Sequence, residues 1–131
     1  MVGTVRPGAA ARSVTPKMMP EMAGGMQFEH VSREWRCKWE GESKTDSATL
    51  EGIAKLVDES LPAIKELDGV TVERKVCGAC KDFKLIVTVP LATFGPWEEA
   101  GHPPESDFLE KLKAIDGTSF IETQTITSAM L

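Results

Sequence analysis

Two cysteines separated by two residues, Cys77 and Cys80, are the sharpest chemical feature of this sequence. Two thiolates at this spacing on a tight turn can bind one soft metal ion such as zinc. A structural zinc site needs four ligands, however, and this motif supplies two. Cys37, His30 or His102 could complete the set if the fold brought them close, as could the same pair of a second copy. One interpretation is therefore a metal site at the pair, with zinc as the cofactor.

The second interpretation is a redox pair, which requires one thiol with a lowered pKa. In thioredoxin-like sites the lowered pKa often comes from a helix N-terminus near the thiol. A hairpin has no helix N-terminus. The cationic residues Arg74, Lys75 and Lys81 surround the motif and could favour a thiolate instead. Under a third interpretation, Cys77 and Cys80 are small turn residues without chemistry. The sequence leaves these three alternatives open.

Trp97 is the next candidate, because it lies among glycine and proline in a segment, residues 91–104, that predicts a loop. Long connections in compact domains are often functional or mobile. A loop tryptophan can fill the edge of its own core or anchor a partner. Trp97 is therefore expected to be either a core plug or a partner anchor.

The remaining polar candidates have simpler interpretations. His30 and His102 have no acid–base partner at a recognisable spacing and are expected to be solvated. Asp46, Glu105 and Asp107 lie at the starts of predicted helices, where an acid interacts favourably with the helix dipole. The sequence contains no phosphate-binding glycine loop, nucleophile elbow, HExxH motif or Ser/His/Asp array. No catalytic or cofactor-binding residue is predicted, and a non-enzymatic function is favoured.

The positions of these residues depend on strands and helices that apolar periodicity predicts. Trp35, Cys37 and Trp39 alternate with charged residues, which predicts a half-buried strand and a buried Cys37. The predicted elements are a strand over 34–40, a helix over 46–66, strands over 70–76 and 83–89, a helix over 105–115 and a strand over 118–127. Cys77 and Cys80 then lie at the tip of the hairpin between the second and third strands.

Local signals mark the ends of several elements. Asp46 or Ser47 is placed to cap the first helix, and Pro62 predicts a kink or break in it because proline has no backbone N–H. Gly69 suits a left-handed turn after that helix. The third strand carries Ile86 between its alternating apolar residues, which predicts burial on both faces and a central position in the sheet.

An internal repeat supports one topology. Residues 64–70, IKELDGV, recur as LKAIDGT at 112–118, and each copy is a helix end, a glycine and a strand start. Such duplicated halves make up the βαββαβ, or ferredoxin-like, arrangement. The sequence therefore predicts an α+β domain with a four-stranded antiparallel sheet and two helices on one face. The other face is left open, and Ile86 and Ile121 indicate that it is only moderately polar, which favours homodimerisation through it.

Several short motifs lie between residues 69 and 126: Gly69-Val70, Gly78, Asp82-Phe83, residues 112–117 and ETQT at 122–125. Together they resemble the small-molecule-binding domains of the leucine-responsive (Lrp/AsnC) regulators. The resemblance implies the ferredoxin-like fold, association through the sheets and effector binding at subunit interfaces. No helix-turn-helix precedes these motifs, which disfavours a DNA-binding regulator. A fainter likeness, through Lys38-Trp39-Glu40 and a helix starting near Leu50, is to the nucleotide-exchange domain of elongation factor 1 beta.

Bulk composition limits the class of protein. The 131 residues, 41% of them hydrophobic and 27% charged, fit one globular domain. Residues 1–26, rich in proline, glycine and methionine, predict a disordered leader, and residues 27–131 form the predicted domain. Of the 15 basic and 20 acidic side chains, three basic and one acidic precede residue 28, which leaves the rest at a net charge of −7. Such an acidic domain is unsuited to nucleic acid.

The expected environment is a reducing one. No apolar run approaches the ~20 residues that span a bilayer, and no secretory signal is recognisable. Three cysteines, an odd number, indicate a cytoplasmic rather than a disulfide-stapled protein, with an organellar location as the alternative if the leader is a transit peptide. The leading functional hypothesis is a non-catalytic small-ligand-binding or assembly domain that self-associates. The alternative is a thiol protein that acts through Cys77 and Cys80.

Overall fold

A computed structural model describes residues 20–131, so residues 1–19 of the predicted leader lie outside the described part of the chain. The described chain divides into two units, and the larger is residues 30–127. In the smaller unit, a 3₁₀ helix spans Ala23–Gly25, and Glu21 and Gln27 form an antiparallel bridge. Within the same unit, the Glu29 N–H donates to the Ser128 carbonyl over 3.2 Å.

Four strands and three α-helices occur in residues 20–131. In chain order they are β1 (His30–Lys38), α1 (Ala48–Ile64), β2 (Thr71–Cys77), β3 (Asp82–Pro90), α2 (Leu91–Glu99), α3 (Glu105–Lys113) and β4 (Ser119–Ser128). The strands form one sheet in the order β2-β3-β1-β4, and β3 pairs antiparallel with both of its neighbours. The predicted α+β class and four-stranded antiparallel sheet are confirmed, and one helix is added. None of the described helices is long and apolar enough to cross a membrane.

The register of the sheet assigns side chains to its two faces. Trp35 pairs with Leu85 and Cys37 with Phe83, and all four are at most 3% exposed, so they form the core face. β3 lies between β2 and β1, and Ile86, on its other face, is 7% exposed. The predicted central position of β3 and its burial on both faces are confirmed.

The first helix follows its predicted cap but not its predicted break. Ser47 Oγ accepts a hydrogen bond from the Leu50 N–H over 3.0 Å, which satisfies one of the free donors at the start of α1. Of the kink or break expected near Leu61, the break does not occur, because the helix continues through Pro62 and ends at Ile64. Pro62 lies in the last turn, where its missing N–H removes only one hydrogen bond, and the complete burial of Ile64 stabilises that turn.

The two glycines of the internal repeat occupy equivalent turns. Gly69 has a φ of 69° and Gly117 a φ of 94°, both in the left-handed region that favours glycine. A Cβ at Gly69 would lie 2.7 Å from Pro90 Cγ, and one at Gly117 would lie 2.1 Å from Thr49 Oγ1. Both turns therefore require glycine for its conformation and for close approach of a neighbour.

The segment that follows β3 is a helix, contrary to the prediction of a loop. α2 continues through Gly95 and Pro96, the two residues that suggested irregular structure. Phe94 and Trp97 are 8% and 4% exposed, and their ring centroids lie 5.9 Å apart in an edge-to-face arrangement. The burial of two aromatic side chains outweighs the poor helix propensity of one glycine and one proline.

Candidate functional site

The tip of the β2–β3 hairpin holds both predicted thiols. Cys77 is the last residue of β2 and pairs with Asp82, the first residue of β3, so that residues 78–81 form the connection. Cys80 is exposed and Cys77 is partly exposed, and neither forms a disulfide in the described chain. Both sulfurs are therefore accessible to a reactant from solvent.

The two thiols lie in different hydrogen-bonding environments. The Cys80 backbone N–H donates to Cys77 Sγ over 3.2 Å, and bonds from the side chain and backbone of Cys80 lower the pKa of the Cys77 thiol. The same side-chain interaction raises the pKa of Cys80, as do desolvation and the hydrogen bond from its thiol to Asp82 Oδ2, 3.4 Å away. Cys77 is thus the thiol that ionises first, and Cys80 the one that keeps its proton.

Lys38 completes a row of polar residues across three strands. Asp82 pairs with Cys77 on one side and with Lys38 on the other, and directly opposite residues of antiparallel strands share a face. Lys38 Nζ lies 2.7 Å from Asp82 Oδ1 and donates to the Cys80 carbonyl over 2.9 Å. The hydrogen bond from Lys38 is the largest cause of the lowered pKa of Asp82. The row therefore places a carboxylate and an ammonium beside the two thiols.

Trp39 anchors the tip to the core. Its side chain is 2% exposed, and its Nε1 donates to the Asp82 carbonyl over 3.1 Å. The Trp39 backbone N–H donates to the carbonyl of Lys81 over 3.0 Å. Lys81 adopts a left-handed φ of 59°, its ammonium lies 4.8 Å from the Trp39 ring centroid, and it donates to the Gly41 carbonyl. These contacts fix the path of the turn after Cys80.

Lys38, whose ammonium donates to the Cys80 carbonyl, is a cation at the tip that the sequence did not suggest. Arg74 lies on the opposite face of β2 from Cys77, because strand side chains alternate. The ammonium of Lys81 is held by the Trp39 ring and the Gly41 carbonyl. Lys75 lies on the same face of β2 as Cys77. Lys38 was not predicted, because only the register of β1 against β3 brings it to the tip.

The other predicted metal ligands lie elsewhere. Cys37 is 3% exposed on the core face, and burial raises its pKa to about 11, in agreement with its predicted role as a core residue. His30 begins β1, at the opposite end of that strand from the tip, and His102 follows α2. Among residues 20–131, no group of three or more His, Cys, Asp or Glu is placed to hold a metal ion. One copy of the described chain therefore offers a metal the two thiols of the tip and no complete ligand set.

A second polar cluster joins β1 to the start of α3. Arg33 Nε and Nη2 donate to Glu105 Oε1 and Oε2 over 2.7 and 3.1 Å, and Trp35 Nε1 donates to Oε1 over 2.7 Å. Burial raises the pKa of Glu105, but the bonds from Arg33 and Trp35 outweigh it, so that the pKa is lowered overall. Glu105 lies in the first turn of its helix, as predicted, and also clamps that turn to the sheet.

His102 is buried, contrary to the prediction that it is solvated. It is 9% exposed, and its ring lies 5.0 Å from that of Trp97 and 5.7 Å from that of Phe94. Its Nδ1 is 3.9 Å from Glu105 Oε1, and its Nε2 is buried without a hydrogen-bond partner among the described residues. Burial, followed by the charge of Arg33, lowers the pKa of His102. The ring is therefore neutral at neutral pH.

Trp97 lies at the edge of the core within α2. Its ring is 4% exposed, and its Nε1 donates to the Pro103 carbonyl over 2.9 Å. Both the apolar ring and the N–H thus have partners inside the protein, the arrangement of a core plug. A role for Trp97 as a partner anchor remains a prediction.

The sheet face opposite the core carries charged side chains. Lys84 Nζ lies 3.7 Å from Glu34 Oε1, and Arg36 Nη1 lies 3.4 Å from Glu122 Oε1. Alternation from Glu122 puts Ile121 on the other face, contrary to the expectation that it contributes to this one. The charged side chains of this face lie beside the exposed Phe120, which lines a small pocket together with Arg36 and Glu122.

Comparisons with known proteins give no relative from which a function could be inferred. No protein-family model matches the chain, and no curated protein or solved structure matches it significantly. The resemblances to Lrp/AsnC domains and to the exchange domain of elongation factor 1 beta therefore rest on the motifs quoted above.

Proposed function

We propose that the protein carries out thiol–disulfide exchange through Cys77 and Cys80. The observation that carries this proposal is the Cys80 backbone N–H that donates to Cys77 Sγ over 3.2 Å. A donor fixed by the turn stabilises the thiolate over the thiol, which makes Cys77 the attacking nucleophile. Cys80, three residues away and exposed, is the resolving thiol.

The proposed reaction transfers two electrons to a disulfide, R–S–S–R, of a protein or a small thiol. The Cys77 thiolate attacks one sulfur, forms the mixed disulfide Cys77–S–S–R and releases R–S⁻, which takes up a proton. Cys80 loses its proton to solvent, attacks Cys77 Sγ and releases the second R–S⁻, which is also protonated. The two cysteines lose two protons and two electrons, and R–S–S–R becomes two R–SH.

Asp82 and Lys38 tune the two thiols in this scheme. The carboxylate of Asp82 accepts the hydrogen bond of the Cys80 thiol over 3.4 Å, which raises the pKa of Cys80 and keeps its proton in place while Cys77 attacks first. The negative charge of Asp82 also raises the pKa of Cys77. Lys38, 2.7 Å from the same carboxylate, offsets that charge and so favours the thiolate.

The scaffold that we propose for this site is the ferredoxin-like arrangement. β1 and β2 flank β3, and β3 and β4 flank β1, which is the pattern of two interleaved βαβ halves. The ring of Phe108 in α3 lies 4.8 Å from that of Trp35, and Ile53 in α1 lines a cleft together with Phe83. These contacts support a common face for α1 and α3, with α2 as an addition between β3 and α3.

A soft-metal site shared by two copies is the second candidate function. The exposed Cys77/Cys80 pair, with one thiol pKa lowered, favours it, and a closed tetrahedral zinc site would need the same pair from a second copy. Metal analysis of protein purified without chelator should then give one zinc per two chains, and light scattering should give a dimer. A metal-free monomer at high micromolar concentration would exclude this candidate, together with the predicted homodimer.

Reaction with the aromatic disulfide DTNB tests the exchange proposal. The native chain should release two thiolate equivalents, because Cys80 resolves the mixed disulfide while buried Cys37 does not react. Cys80→Ser should release one equivalent and retain the adduct. Cys77→Ser should react more slowly, since Asp82 remains beside the only exposed thiol. Equal rates for the two single variants, or a stable double adduct on the native chain, would refute the proposal.

A further inference from the structure

A cleft of about 370 Å³ lies between the first half of α1, the turn before it and the β2–β3 hairpin. Leu50, Ile53, Val76 and Phe83 form its apolar wall. Ile53 and Phe83 are each 1% exposed, so the floor of the cleft is part of the core and is preformed. Clefts of this volume, apolar with a few polar groups, are typical of sites for small organic molecules.

The charged residues of the cleft are two cations and one acid. Lys44 lies on the turn before α1, Arg74 on β2 and Glu51 in the first turn of the helix. Within residues 20–131, neither the Lys44 nor the Arg74 side chain takes part in an ion pair. The stem of Lys44 packs over Gly78, where a Cβ would lie 3.2 Å from Lys44 Cγ, and Lys44 is one of the residues that line the cleft.

These charges favour an anion. The chain has a net charge of −5, so two cations without acidic partners around one apolar cleft are an uncommon local excess. The start of α1, capped by Ser47 at the edge of the cleft, adds the positive end of the helix dipole. Glu51 offsets part of this positive charge. The positive charge that remains suits a ligand with a single anionic group.

We propose that this cleft binds a small organic anion with one carboxylate or sulfonate group. The anionic group would face Lys44 and Arg74, and an apolar body would lie against Val76 and Phe83. The cleft opens on the core face of β2, opposite to Cys77, so the proposal is independent of the thiol function.

Two probes with the same apolar body test the charge requirement. 8-Anilinonaphthalene-1-sulfonate (ANS) carries one sulfonate, and N-phenyl-1-naphthylamine lacks it. Titration of the full chain with each, followed by fluorescence and by ¹⁵N amide shifts, should give saturable ANS binding with shifts confined to residues 44–54 and 74–83. The neutral probe should bind at least threefold more weakly.

Variants on neighbouring positions separate this site from non-specific binding. Arg74→Gln and Lys44→Gln should each weaken ANS binding about two- to fivefold, the range of exposed charge pairs. Lys75→Gln, next to Arg74 but on the opposite face, should leave it unchanged. Ala54→Trp, which fills the cleft, should abolish binding, whereas Ala63→Trp on the exposed surface of α1 should not. Equal affinity for both probes, amide shifts outside the cleft, or equal effects of Arg74→Gln and Lys75→Gln would overturn the proposal.

Discussion

Replacement of Glu105 by alanine tests how strongly the partly buried cluster of Arg33, Trp35 and Glu105 joins α3 to β1. Glu105 accepts two hydrogen bonds from Arg33 and one from Trp35. The alanine variant removes all of these acceptors and leaves the N–H of Trp35, a residue that is 0% exposed, without its partner. Arg33 keeps its bonds to the hydroxyls of Thr123 and Thr125 but loses its counter-charge.

The expected loss of stability follows from these contacts. An unsatisfied buried donor costs about 1–3 kcal/mol. Removal of one partner of a buried ion pair costs about 3–5 kcal/mol. The two losses overlap, and the Arg33 side chain is 17% exposed, so Glu105→Ala should cost about 3–4 kcal/mol in total. Glu105→Gln keeps an acceptor for Trp35 and should cost about 1–2 kcal/mol.

Urea unfolding, followed by tryptophan fluorescence and far-ultraviolet circular dichroism, measures this loss. Glu110→Ala, on the exposed surface of the same helix, is the matched control and should stay within about 0.5 kcal/mol of the native chain. The free energy of unfolding of Glu105→Gln should lie between those of Glu105→Ala and Glu110→Ala. If Glu105→Ala differs from this control by less than about 1 kcal/mol, the cluster does not clamp α3 to the sheet.

Stability should decline as the pH falls below 6.5, because the pKa of His102 is lower in the folded chain and the unfolded chain binds the proton first. His102→Gln should remove this part of the pH dependence of the urea midpoint, and an unchanged profile would contradict the assignment. In iodoacetamide labelling mapped by mass spectrometry, Cys77 should react at lower pH than the second thiol of the pair. Asp82→Asn should move both profiles to lower pH, because this carboxylate raises both thiol pKa values, and unmoved profiles would show that it does not act on them. Gly117→Ala should lower the melting temperature steeply, since its Cβ would lie 2.1 Å from a threonine hydroxyl at a φ of 94°. Gly95→Ala, with no atom within 4 Å, should raise it slightly, and similar melting temperatures for the two would refute the packing argument.

Most helices and strands could be predicted, because each has one buried face and the spacing of its apolar residues is visible in the local sequence. Alternation located β1 and the β2–β3 hairpin, and the 3.6-residue period located α1 and α3. α2 was missed because its sequence holds Gly95 and Pro96, which usually indicate a turn. The burial of Phe94 and Trp97 that stabilises it depends on tertiary contacts, which local sequence does not contain.

The two candidate nucleophiles of the site could be predicted from the sequence, but the polar residues that contact them could not. Cys77 and Cys80 could be placed at a hairpin tip, because the turn and the flanking alternation are adjacent in sequence. Lys38 reaches Asp82 only through strand pairing, which depends on register. The burial of His102 likewise depends on contacts between elements distant in sequence, so its isolation in the sequence was misleading.

The reduction potential of the Cys77/Cys80 pair tests the central claim most directly. The full chain is equilibrated in glutathione buffers of graded potential, thiol exchange is stopped with acid, and the mass of the chain is measured by mass spectrometry. We expect one reversible transition in which the native chain loses two hydrogen atoms, within the range of about −120 to −300 mV of known exchange proteins. Cys77→Ser and Cys80→Ser should show no such loss. Thiols that stay reduced across this range, or that accumulate only glutathione adducts, would contradict a role in disulfide exchange.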